Sequence, residues 1–143
     1  MKERDYYPII ESFFKGRGYY TLVEWPAFPI SKVIPDIIAV DPSFSKIITV
    51  EVKLNNFRGA FWQAWTDLAF SDYAYLAFPE RYAHHVIKRY RRIIKGYGLG
   101  IIALKPWADV LVKPSLSRYL DRKIKHILLH RIREEMLAYA SLS

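Results

Sequence analysis

Two short apolar runs, Ile37 to Val40 and Ile47 to Val52, flank Asp41-Pro42-Ser43, and this stretch constrains the fold more than any other. Both runs are rich in β-branched residues and read as strands. Between them Pro fixes φ and Asp can bond the backbone two residues on, which is turn chemistry. The spacing predicts a hairpin. Side chains alternate along a strand, so Glu51 and Lys53 share one face while Val50 and Val52 share the other. Pairing about the turn brings Asp36, just before the first strand, close to Glu51, near the end of the second. Two carboxylates held together call for a cation. Hard divalent ions such as Mg²⁺ take one or two carboxylates with waters and phosphate oxygens, and Lys53 is placed to orient a water or a phosphate.

Pro35-Asp36, fourteen residues, then Glu51-Val52-Lys53 is an arrangement that resembles the PD-(D/E)xK nuclease superfamily. That group includes restriction endonucleases, archaeal Holliday-junction resolvases and RecB-like nucleases. The resemblance implies an α/β fold, a restriction-endonuclease-like αβββαβ core with a mixed central sheet flanked by helices. It implies metal-dependent endonucleolytic hydrolysis of phosphodiester bonds in DNA. Asp36, Glu51 and the carbonyl of Val52 would hold Mg²⁺ or Mn²⁺, and Lys53 would place the attacking water. Glu3-Arg4-Asp5-Tyr6-Tyr7-Pro8, leading to Gly18-Tyr19, looks like the first-helix pattern of such enzymes and points to Glu3 as a site residue. An acid complementing the helix dipole explains Glu3 equally well. Gln63-Ala64 looks like the start of the Q-x-x-x-Y motif of RecB-like relatives, which makes Gln63 a candidate for orienting Lys53 or the water. The Tyr position is Asp67, a departure that carries no role over.

The net charge of +8 is unevenly placed. Residues 1 to 80 hold 8 Lys/Arg against 10 Asp/Glu, and residues 81 to 143 hold 14 against 4, so the back part alone carries +10. Such asymmetry favours a polyanion, because each cation that neutralises a phosphate releases counterions. DNA is the expected partner, with Lys32, Arg58, Arg89, Arg92, Arg118 and Arg122 as candidate contacts. Simple solubility would account for a smaller surplus. There is no cysteine, which excludes disulfides, thiolate zinc sites and a thiol nucleophile. No apolar run approaches the roughly eighteen residues of a membrane span, and MKERDYYP lacks a signal core, so a cytoplasmic, membrane-free protein is expected. A serine elbow G-x-S-x-G and a phosphate loop are both absent from the sequence.

In chain order, residues 2 to 15 read as a helix interrupted early by Pro8, and Tyr19 to Trp25 as a strand. The loop AFPISKV, with Lys32, would rim the site. Arg58 to Phe70 reads as a helix capped by Asn55-Asn56, whose apolar face of Phe61, Trp62, Trp65, Leu68 and Ala69 is expected in the core. Gln63 and Asp67 lie together on another side. Ser71 to Pro79 reads as a central strand parallel to the catalytic one, Arg81 to Lys95 as a basic amphipathic helix, and Leu99–Leu104 and Val110–Val112 as two further strands. His84 and His85 are adjacent on that helix, point different ways and are not assigned as ligands. These elements form a core domain, residues 1–113. Residues 114–143 form an amphipathic basic helix, Ser115 to Tyr139, with Leu116, Leu120, Ile124, Leu128, Ile132 and Met136 on one face. That face packs on the core or on a second copy, and a homodimer is expected. A solvated outer face explains the basic side as well as a phosphate track does. Two other functions stay open: a nuclease-fold protein that binds nucleic acid without cutting, and an interaction module assembled through the last helix.

Overall fold

The hairpin is present at the expected register. In the computed structural model, which describes residues 1–26 and 34–141, strand β2 is Ile37–Val40 and β3 is Ile47–Val52. They pair antiparallel with Ile37 opposite Val50 and Val40 opposite Ile47. Asp41 sets the turn: its carboxylate accepts the N–H groups of Ser45 and Lys46, each at 2.7 Å. Around this pair the chain builds one six-stranded mixed sheet. Strand β1 (Tyr20–Val23) lies antiparallel to β2, and β4 (Tyr73–Pro79) lies parallel to β3. Strand β5 (Gly100–Leu104) is parallel to β4, and β6 (Ala108–Val112) closes the far edge antiparallel to β5. The spatial order follows the chain order, β1 to β6.

Period-two alternation sorts the side chains into two faces. Ile37, Ala39, Ile48, Val50, Val52 and Ile102 face helix α1 (Tyr7–Lys15), whose Tyr7, Ile10 and Phe14 are buried against them. Pro8 sits in the first turn of α1, where a missing N–H is harmless, and a 3-10 turn over Glu3–Tyr6 leads into it. The opposite face is covered by three helices: α2 (Phe57–Asp67), α3 (Glu80–Gly96) and α4 (Arg122–Ser141). Among the described residues no helix is long and apolar enough to cross a membrane.

Two sequence expectations need correction here. The last helix starts at Arg122, seven residues later than Ser115. Residues 115–121 instead dock on the link between α2 and β4: Ser117 donates through Oγ to the Leu68 carbonyl at 2.7 Å and through its N–H to Asp72 at 2.8 Å. Asp121 then caps the helix, its carboxylate accepting the Lys123 N–H at 2.9 Å. Leu116 consequently lies exposed, while Leu128 and Ile132 pack with Trp25, Ile38, Val40, Ile47 and Phe70. The second correction concerns α2. Its buried side is Phe57, Ala60, Ala64 and Asp67, with Leu68 just beyond, whereas Trp62 and Trp65 point outward. Two alanines facing the sheet let the helix approach closely, and that spacing leaves no room for an indole.

Candidate functional site

One step beyond each paired strand end, three acids come level. Val23 pairs with Ile37 and Ile37 with Val50, so the next position brings Glu24, Asp36 and Glu51 side by side. Glu24 donates its N–H to the Asp36 carbonyl at 3.0 Å, with a left-handed φ of 48° that few non-glycine residues adopt. The Asp36 N–H reaches Glu51 Oε1 at 3.4 Å, and Asp36 Oδ2 accepts the Val52 N–H at 2.7 Å. On the α1 side of the sheet, the Tyr7 hydroxyl lies close to the Asp36 carboxylate, and burial together with that charge pushes the phenol upward. Asp36 is thus held through one carboxyl oxygen by a strand N–H and stays half-buried.

Glu51 lies under α2 and is fully enclosed. There it meets Asp67, also fully enclosed, their carboxyl groups within hydrogen-bonding reach of each other. Among the described residues, Glu51 Oε2 and both oxygens of Asp67 have no donor, and neither has Oε1 of Gln63 one turn earlier on α2. A buried carboxylate without a donor is expensive, so a proton shared across the pair or a cation must compensate. Burial pushes the Glu51 carboxyl far up, and the facing Asp67 and the Asp36 charge push in the same direction. Burial raises Asp67 too, to about 7, against a pull downward from its contacts with Glu51 and Thr49. Asp36 is raised by burial, which the Val52 N–H, the Tyr7 hydroxyl and the charge of Lys53 partly offset.

The sequence candidates therefore divide. Asp36, Glu51 and Lys53 come together at one end of the sheet, with Lys53 half-buried, its field reaching Asp36, and in none of the ion pairs formed among the described residues. Val52 takes part through its amide. Glu3, in the 3-10 turn, is near enough to raise the Tyr7 hydroxyl pKa together with Asp36 and Glu24, so it borders the site without touching Asp36 through a hydrogen bond. Gln63 turns inward on α2. Arg58, Arg89, Arg92 and Arg122 are exposed on helices, and Arg118 donates to the Gly96 carbonyl at the end of α3. Lys32 and the rest of the loop 27–33 lie outside the described residues. Sequence reasoning passed over Tyr7, Glu24 and Asp67 as site residues. Glu24 was accessible from the β1–β2 pairing, and Tyr7 from its place beside Pro8 at the helix start.

Among the described residues no three Asp, Glu, His or Cys side chains converge tightly enough to hold a metal ion as they stand. The donor chemistry nonetheless fits a hard cation: every unpartnered atom in the cluster is an oxygen, three of them on carboxyl groups.

No family model and no curated protein matches this chain. Among solved structures, the SPO1766 protein of unknown function from Silicibacter pomeroyi is similar, with a TM-score of 0.68 at 12% identity over 98% of this chain and 90% of that one. At that identity the likeness concerns the fold: a mixed α/β architecture, a six-stranded sheet between helices.

Proposed function

We propose that this chain is a divalent-metal-dependent endonuclease acting on DNA, with a restriction-endonuclease-like αβββαβ core formed by α1 through β4. The observation that carries the proposal is the contact of Asp36 with Glu51 across the β2–β3 pairing, the Asp36 N–H on Glu51 Oε1, with the Lys53 charge acting on Asp36 and Glu51 Oε2 left without a donor among the described residues. Asp36 and Glu51, with the Val52 carbonyl, would hold Mg²⁺ or Mn²⁺. Such an ion, when bound, supplies a water of lowered pKa and a polarised phosphate. Lys53 places the attacking water and stabilises charge developing on the phosphoryl oxygen. The Val52 N–H holds the Asp36 carboxylate in one orientation, with the Tyr7 hydroxyl close by, and Gln63 orients Lys53 or the water. The basic surplus of residues 81 to 143 supplies the phosphate contacts.

The test is purified protein with Mg²⁺ or Mn²⁺ against branched, single-stranded and plain duplex DNA. Cleavage is expected with one of these, and Asp36→Ala or Glu51→Ala lowers it by at least about a hundredfold. Cleavage that survives either substitution contradicts the assignment. One observation favours a second reading, binding without cutting: Glu51 is closed off from solvent and faces another carboxyl group. DNA retention with no metal-dependent cleavage on any of the three substrates would select it.

A further inference from the structure

Five aromatic rings follow one another beside α2, Phe61 and Tyr97 half-buried against the core and Trp62, Trp65 and Tyr119 exposed. Trp62 meets Trp65 edge-on at 5.8 Å and Phe61 at 6.2 Å. Phe61 meets Tyr97 at 5.0 Å, and Tyr97 stacks on Tyr119 at 6.0 Å. Trp62 is 63% exposed, Trp65 43% and Tyr119 47%, so water covers a large part of the stripe. Scattered apolar residues at a surface need no explanation, but contiguous ones mark a place where something binds.

The charges around the stripe narrow the choice of partner. Arg58 precedes Trp62 by four residues, shares its face of α2 and is exposed. At the other end Lys95 is exposed, and the Arg118 guanidinium lies on the Gly96 carbonyl beside Tyr97. Acids are withdrawn: Asp67 is buried on the far side of α2, and Asp121 is engaged as the cap of α4. A symmetric second copy would set these cations against their own images, which disfavours self-association through this face. Exposed rings interleaved with cations suit unpaired bases, because every base has a face to stack and every phosphate a charge to neutralise. Duplex bases are already stacked on one another and cannot offer those faces.

We propose that the stripe from Trp65 to Tyr119 is a stacking surface for single-stranded DNA, so that the substrate presents unpaired bases along α2. This rests on the reading above for its choice of nucleic acid and adds the substrate class.

The experiment uses the full chain in EDTA, where no cleavage intervenes, and measures affinity for a labelled oligothymidylate and a duplex at one salt concentration. Substituting Trp62→Ala and Trp65→Ala together should weaken oligothymidylate binding by roughly tenfold or more per ring. Trp62→Phe should retain most of it, and Trp107→Ala, which removes an exposed indole on the β5–β6 turn, should leave it unchanged. A second measurement avoids the double variant. In Trp107→Phe the exposed indoles are Trp62 and Trp65, since Trp25 is buried, and oligothymidylate should quench their fluorescence. Unaltered affinity in the double variant, or no quenching, overturns the proposal. So does a wild-type dimer that dissociates on the double substitution while single-strand affinity holds, since the surface is then a self-interface. A wild-type chain that binds no single strand hands the surface to an acidic protein partner and overturns it as well. Failure of the nuclease reading shows separately: no cleavage with Mg²⁺ or Mn²⁺, yet oligothymidylate binding that still depends on the two indoles.

Discussion

The two ends of β3 treat buried acids in opposite ways. At its start, Asp72 is almost fully enclosed and fully partnered: Oδ2 accepts the Ile47 N–H at 2.8 Å and Oδ1 the Lys125 ammonium at 2.7 Å. Asp41, at the turn just before, accepts two N–H groups and the hydroxyls of Ser43 and Ser45. Four residues along the strand from Ile47, Glu51 receives one long hydrogen bond from Asp36, and Asp67 receives none among the described residues. This chain has the means to satisfy an enclosed carboxylate and applies them where the acid holds elements together. Withholding them at one place costs stability, and such local inconsistencies concentrate where a protein does its work.

The comparison breaks most visibly at Asp72. Substituting Asp72→Ala leaves the part-buried Lys125 ammonium and the enclosed Ile47 N–H without this partner, and removes one of the ties between α4 and the sheet. Loss of one member of a buried ion pair destabilises by about 3–5 kcal/mol, so thermal and urea unfolding should both shift strongly downward. A shift within the error of wild type would mean that this end is no better partnered than the other.

At the far end the same kind of change should have the opposite sign. Asp67→Asn supplies an N–H facing Glu51 and removes a carboxyl group without a donor among the described residues, so stability at pH 8 should rise by about 1–3 kcal/mol. The pH dependence follows from the shifts. Unfolded, Asp67 and Glu51 ionise near 3.8 and 4.5; folded, both are raised, Asp67 to about 7. Between those values the folded chain keeps protons that the unfolded chain has released, so this pair makes stability fall as pH climbs from about 4 through 7. Asp67→Asn removes one of the two protons and should flatten the decline in melting temperature over that interval. An equally steep decline in the variant assigns it to other groups.

How much of this was visible beforehand depends on how local the cause is. Turn chemistry at Asp41-Pro42-Ser43 and the alternation of Ile47 to Val52 are neighbour effects, and they were enough to place Asp36 beside Glu51. Periodicity on α2 could not tell Ala60 and Ala64 from Trp62 and Trp65, because all four are apolar and two overlapping stripes fit one helix. The late start of α4 rests on Ser117 and Asp121 bonding to residues some fifty positions earlier, Leu68 and Ala69, which no local pattern carries. Asp67 was singled out as a departure from a motif but not as a buried acid. An acid on a helix is ordinarily a surface residue, and its enclosure follows only once α2 lies over Thr49 and Glu51.

The smallest effect tests the partnered end by its own pH signature. Burial works against ionisation of Asp41, but the hydrogen bonds from Ser45, Lys46 and Ser43 outweigh it and hold the pKa at about 2. A lowered carboxyl pKa has the reverse linkage to the raised pair: its stabilisation is present above the unfolded value of 3.8 and lost as pH falls toward 2. Asp41→Asn keeps one acceptor oxygen for the turn and gives up the charge. It should cost about 0.5–1.5 kcal/mol at pH 7, and that deficit should close as the medium is acidified below pH 3.8. A deficit that persists undiminished at pH 2 would trace the loss to the turn geometry, and the contrast with Asp67 would then lie in backbone shape rather than in charge.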